Sequence, residues 1–171
     1  MSERLRDEVI REQAKRLKLP GLMKEYERLA REAAQEKWRY EEYLSALLDA
    51  EIVAREARTA ERLLKEARFP DRKSLETLDW EALKGVSRKV MLDLSACDYI
   101  ERGEDVVIAG PIGTGKTHLA IGLGIEATRQ GYRTAFLRAA DLVRELVEAR
   151  DERTLGRMLR RCEKTELLIL D

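Results

Sequence analysis

Residues 110–122 read GPIGTGKTHLAIG, a glycine-rich turn between a short apolar run and the start of an amphipathic helix. Gly110, Gly115, Lys116 and Thr117 satisfy the spacing G-x-x-x-x-G-K-[ST], and a strand before it with a helix after it is the context in which that spacing holds a phosphate. Glycines at 110, 113 and 115 let the backbone turn with its N–H groups pointing inward, at the positive end of the following helix. Lys116 then reaches the β- and γ-phosphates as a point charge, while the Thr117 hydroxyl ligates Mg2+. Pro111, Ile112 and Thr114 complete the loop and His118 adjoins it, so the expected nucleotide contacts run from Gly110 to His118. His118 is the sole histidine; without a second histidine or a cysteine pair nearby, it reads as a helix residue rather than a metal ligand or base. Gly122 and Gly124, inside the helix, suit close packing on a sheet better than a ligand role.

Working outward, EDVVIAG at 104–110, YRTAFLR at 132–138 and ELLILD at 166–171 are three strand candidates, the first ending in the loop. Helical patterns over 116–130, 140–150 and 152–162 separate them. Strands alternating with helices of this length make βαβ units and a parallel sheet. The closing LLILD places an aspartate after four apolar residues, the form in which a buried strand delivers a carboxylate to a magnesium shell, so Asp171 is the second expected metal ligand. Lys116 and Asp171 are the residues expected to serve catalysis.

Before residue 100 the chain reads as helix only. LPG at 19–21 separates two helical stripes, a third helix runs from near Tyr40 to Ala67, and Pro70 ends it. Ser74 and Ser87 are candidate N-caps for helices over 75–84 and 88–98. The expected domains are a helical N-terminal region, 1–72, a helical linker, 73–102, and an α/β domain from 103 to 171.

With 33 cationic and 33 acidic side chains, net charge points to neither nucleic acid nor membrane, and any charged partner must meet a local patch. Cys97 and Cys162 are far apart and lack metal-ligand spacing, which suits reduced thiols in a cytoplasm. The N-terminus is too charged for a signal peptide, and no apolar stretch approaches the roughly 18 residues of a membrane span. On the helix over 51–68, Arg55, Arg58, Arg62 and Lys65 share one face, opposite Leu63 and Leu64. Contact with a DNA backbone and a solvated, salt-bridged face are both open readings of that stripe, and without interleaved aromatics base stacking is not expected there.

LKLPGLMKEYERLAREA at 17–33, WRYEEYLSALLDAEIVARE at 38–56, YIERGEDVVIAGPIGTGKTHLAIG at 99–122 and the closing LLILD together resemble the IstB-like helper ATPases of transposons. More distantly they resemble the DnaC helicase loaders, within the AAA+ group of P-loop NTPases. The resemblance implies a helical region for DNA or a partner protein, then an ATPase core that binds ATP and Mg2+ and assembles as a homo-oligomer on DNA, with a transposase or a replicative helicase as partner. By the same likeness Tyr99 and Ile100 border the adenine. It also implies an AAA+ domain incomplete at the C-terminus, because the family continues through strands that carry a sensor residue and an arginine finger. One of those strands would lie between the phosphate-loop strand and LLILD, so these two should not pair directly, and the chain should bind ATP without efficient turnover. A P-loop small-molecule kinase and a non-hydrolysing, nucleotide-dependent interaction module are the readings from other classes, the first disfavoured by the long helical front end.

Overall fold

Proline at position 20 closes one helix and opens the next, because its ring fixes φ and its missing N–H is tolerated only in a first helical turn. Thus α1 spans Glu3–Arg16 and α2 spans Pro20–Gln35, followed by α3 at Tyr40–Glu66. The computed structural model describes residues 3–81, 83 and 85–171. The chain divides into two compact units, Met1–Thr59 and Ala60–Asp171, with the boundary falling inside α3.

In the first unit, Tyr26, Leu29 and Leu47 form the core, with Leu22, Trp38, Tyr43, Ala46 and Ala50 packed around them. Gly21 is required for that packing: a Cβ there would stand 2.6 Å from the Ala50 carbonyl oxygen and 2.7 Å from the Ala54 Cβ. Glu51 is buried beside it. Its Oε2 accepts the backbone N–H groups of Gly21 and Leu22 at 2.7 and 3.1 Å, and its Oε1 accepts from Arg55 Nε at 2.8 Å. The carboxylate thereby satisfies donors at the start of α2, where Leu19 provides no side-chain cap. Burial opposes its charge, but the bonds from Arg55, Leu22 and Gly21 outweigh that and hold its pKa below the ordinary glutamate value.

The second unit holds a 3-10 turn at Leu75–Thr77, then α4 (Arg88–Ser95), α5 (Asp98–Glu101) and α6 (Lys116–Arg129). These lead into β1 (Thr134–Leu137), α7 (Ala139–Asp151), α8 (Leu155–Cys162) and β2 (Leu167–Leu170). β1 and β2 pair in parallel, with Thr134 opposite Leu167 and Leu137 opposite Leu170. α6 is the central element and buries two sides. Leu119 and Leu123 pack with Leu75, Leu78 and Met91, while Ile121 and Ile125 pack with Phe136 and Ile169. That accounts for its apolar sequence on both sides, the mark of a helix covered on both faces.

The glycines inside α6 serve this packing. A Cβ at Gly124 would lie 2.6 Å from Ile169 Cδ1 of β2 and 2.7 Å from the Phe69 ring, so this glycine seats α6 against the sheet. Gly122 instead faces the 3-10 turn, with Leu75 Cδ2 at 2.5 Å from the same construction, rather than a strand.

Several expected elements differ from those observed. EDVVIAG at 104–110 is not a strand: the described sheet consists of β1 and β2, and residues of this segment line a cleft with β2 without forming a ladder. The expected helix over 75–84 is only the 3-10 turn Leu75–Thr77, because Leu75 and Leu78, three apart, both insert into the cluster on α6 and the chain extends at Leu78. Ala82 and Lys84 of that expected helix lie outside the described residues. Ser87 does cap α4, accepting the Val90 N–H at 3.4 Å, whereas Ser74 makes no capping bond. The helix expected over 88–98 ends at Ser95, since buried Cys97 adopts a left-handed φ of 65°. Both cysteines are free thiols, and among the described residues no helix is long and apolar enough to cross a membrane.

Candidate nucleotide site

The loop from Gly110 to Gly115 sits on the N-terminus of α6. Gly113 and Gly115 have φ of 81° and 85°, the left-handed region that a side chain disfavours. Gly110 is not in that region; it allows close approach, since a Cβ there would meet Thr114 Oγ1 at 3.3 Å. Gly115 is the N-cap of α6, with no side-chain cap and no acidic residue in the first turn. The helix therefore presents its uncapped N–H groups and positive end to the loop, an arrangement suited to an anion.

The loop closes on one oxygen. The Pro111 carbonyl accepts from Thr114 Oγ1 at 2.9 Å and from Lys116 Nζ at 2.6 Å, so the ammonium spans the mouth of the loop. Pro111, Ile112, Gly113 and Thr114 are exposed, and Ile112 extends fully into solvent, which leaves the cradle open to a ligand.

Across from the loop, β2 delivers Asp171. The Asp171 N–H donates to the Leu137 carbonyl at 3.1 Å and its carbonyl accepts from the Ala139 N–H at 2.9 Å, which ties its backbone to the end of β1. Its Oδ1 accepts from Thr117 Oγ1 at 2.7 Å. Two residues 54 positions apart, each read from sequence as a magnesium ligand, are thus in direct contact. Both present oxygen, the donor type that Mg2+ requires, and they fit the ion when phosphate oxygens supply further ligands. Among the described residues no cluster of three or more histidine, cysteine, aspartate or glutamate side chains could hold a metal without such help.

Other expected contacts are placed as follows. His118 Nε2 lies 3.1 Å from the Ser74 carbonyl oxygen; a carbonyl can only accept, so Nε2 carries the proton and the ring is turned toward the 3-10 turn. Tyr99 and Ile100, on α5, line the same cleft of about 430 Å3 as Lys116 and Asp171, together with Val106, Ile108 and β2. Tyr99 itself is buried, and burial pushes its hydroxyl pKa up to about 12. The four cations of α3 are each matched to a carboxylate of the same helix. Arg55 and Arg58 pair with Glu51, Arg62 with Glu66 and Lys65 with Glu61. Arg55 also donates to the Lys18 carbonyl, which ties α3 to the turn between α1 and α2.

Sequence reasoning missed three contacts: Pro111 as acceptor for Lys116, Ser74 as the partner of His118, and Leu83, whose Cδ2 is 3.0 Å from a Cβ built on Gly115. The first two use backbone carbonyls, which every residue carries and no motif marks.

Residues 12–171 match the family described as IstB-like ATP binding protein. The chain is 39% identical over 164 residues to the ATP-binding protein assigned to insertion sequence IS5376 of Geobacillus stearothermophilus, covering 96% of this chain and 65% of that relative. It is 39% identical over 156 residues to the corresponding IS21 protein of Pseudomonas aeruginosa, covering 91% of this chain and 59% of that relative. A Sinorhizobium fredii insertion-sequence protein is 35% identical over 156 residues, with 91% and 52% covered. The chain therefore spans between half and two thirds of the length of these curated relatives.

Proposed function

Because this chain belongs to the IstB-like ATP binding protein family, we propose that it binds ATP with Mg2+ at the loop Gly110–Thr117 and serves as a DNA-associated helper ATPase in transposition. The observation that supports nucleotide binding best is the 2.7 Å contact between Thr117 and Asp171 beside an uncapped helix N-terminus. The names of the relatives, all proteins of insertion sequences, favour transposition over helicase loading.

In this reading the N–H groups at the start of α6 receive phosphate oxygens, and Lys116 exchanges the Pro111 carbonyl for the β- and γ-phosphates. When bound, Mg2+ neutralises charge on the phosphates. Thr117 and Asp171 hold oxygen ligands toward it, and the ladder between β1 and β2 keeps Asp171 in place. Turnover also demands a group that positions the attacking water and a cation on the γ-phosphate. The residues gathered at this loop hold and neutralise phosphates, and we propose ATP binding for this chain, with turnover near background as the expectation that phosphate-release assays test. Transposase and DNA are the partners of this reading, in a cytoplasmic setting.

Calorimetric titration with ATP and Mg2+ tests the site. Each hydrogen bond to a charged group contributes about 1.5–3 kcal/mol, so Lys116→Ala should weaken binding by roughly tenfold or more. Equal affinity in wild type and variant would remove the loop as the nucleotide site.

A further inference from the structure

α8 has a basic side for which the described residues offer no ion-pair partner. From Arg153 to Lys164 the chain carries five cations, Arg153, Arg157, Arg160, Arg161 and Lys164, against one carboxylate, Glu163. Arg157, Arg160 and Lys164 follow at intervals of three and four, which places them on one face of α8 and the turn after it. All three are exposed. On the other side, Leu155, Met158 and Cys162 are half-buried, and Met158 and Cys162 border a small cavity with Phe136 and Leu137 of β1. The orientation of α8 is thus set by its apolar side, and the cations point outward together.

The contrast with α3 and α7 is informative. Every cation of the α3 stripe has a carboxylate partner, and on α7 Arg144 pairs with Asp141 and Arg150 with Asp151. Among the described residues, Arg153, Arg157, Arg160 and Lys164 form no ion pair. Like charges three and four apart destabilise a helix, and an eight-residue helix has little stability of its own to spare. A face of this kind becomes favourable when an external polyanion supplies the missing negative charge.

Resting on the DNA-associated reading above, we propose that the basic face of α8, rather than the stripe on α3, binds the phosphate backbone of duplex DNA. From Arg157 to Lys164 the rise is about 10 Å, or roughly three phosphates along one strand. No aromatic residue occurs between 153 and 164, so the face has nothing on which to stack unpaired bases, and duplex fits it better than single strand. On the apolar side of α8 Leu155, Met158 and Cys162 are half-buried and Leu159 alone of these four is exposed, so the helix offers little of the apolar surface with which an amphipathic helix enters a membrane.

The test is fluorescence anisotropy with a labelled duplex of arbitrary sequence, titrated at several salt concentrations. The full chain is compared with R157A/R160A/K164A, with R157K/R160K and with R55A/R58A/R62A/K65A. With about 0.9 counterions released per phosphate, the α8 triple variant should flatten the log affinity against log salt slope by roughly 2.7. The lysine variant and the α3 variant should keep the wild-type slope. If the triple variant does not fold, the single variants R157A and R160A should each flatten the slope by about 0.9. Wild-type slope and affinity in the α8 variants, loss of binding in the α3 variant alone, no binding of duplex by the wild type, or binding of phosphatidylserine vesicles in place of duplex would each overturn the proposal. ATP titration of the same proteins is read separately: loss of ATP binding by the wild type removes the nucleotide reading, while the salt slopes decide the α8 face.

Discussion

Replacing Gly124 by alanine tests how α6 is seated, and with it how Thr117 reaches Asp171. The new Cβ would lie 2.6 Å from Ile169 Cδ1, 2.7 Å from Phe69 Cζ and 2.8 Å from Phe69 Cε1, where carbon atoms prefer about 3.5–4.0 Å. Ile169 Cδ1 is the end of a flexible side chain and can rotate. Phe69 has less freedom, because its ring packs edge-on against Phe136 with centroids 6.3 Å apart. Overpacking of this kind costs about 1–3 kcal/mol. Alanine recovers roughly 0.8–1 kcal/mol of helix propensity over glycine, so against a central overpacking cost of about 2 kcal/mol the variant should be destabilised by about 1 kcal/mol. For a unit the size of Ala60–Asp171, that lowers the melting temperature by about 4–8 °C. Thermal unfolding followed by circular dichroism measures the shift, and ATP titration should show weaker binding as α6 moves away from β2. Adding Ile169→Val, which removes the Cδ1 atom in the way, should restore part of the loss, so the double variant is less destabilised than the two single changes added together. A Gly124→Ala protein as stable as wild type, or more so, would mean that helix propensity wins and that α6 does not lie this close to Phe69 and Ile169.

Two further outcomes are expected. Glu51 has a pKa below its ordinary value of 4.5 in the folded chain, so its stabilising contribution is fully present above that value and is lost as pH falls through the depressed one; Glu51→Gln should lower stability at pH 7 and reduce the acid sensitivity of unfolding, and identical pH profiles for the two proteins would contradict it. Burial, then the nearby Glu126 and Asp98, pushes the Cys97 thiol up to about 11, whereas Cys162 is only half-buried. A thiol reagent at pH 8 should therefore label one cysteine quickly in the native protein and both after unfolding, and fast labelling at Cys97 in the native state would disprove the burial argument.

The conformation of the glycine-rich loop was legible because it is set locally. Glycines that must adopt φ of 81° and 85°, a lysine at the helix start and a threonine after it are all set within eight residues, and the spacing alone specifies where their groups point. Helix ends marked by proline, as at Pro20, and strands with alternating burial, as at Thr134–Leu137, were legible for the same reason. Val106–Ala109 was not, since its apolar pattern is that of a strand, but a strand also needs a neighbour at hydrogen-bonding distance. Nor was the charge on α3 and α8 readable as a difference. Both segments carry four or more cations on a helical pattern, and only the folded chain shows Arg55, Arg58, Arg62 and Lys65 matched to carboxylates while Arg157, Arg160 and Lys164 form no ion pair among the described residues.

By itself the sequence determined the glycine-rich turn at the start of α6, the helical front end and the identity of Thr117 and Asp171 as oxygen-bearing side chains, because backbone conformation and donor chemistry belong to short stretches of chain. Tertiary structure decided that Asp171 meets Thr117 at 2.7 Å, that Lys116 rests on the Pro111 carbonyl and that Glu51 is a buried clamp on α2 rather than one more surface charge. Each of those outcomes depends on which distant segment α6 or α3 packs against, and a packing partner is chosen by shape and burial over the whole unit, which no local spacing encodes.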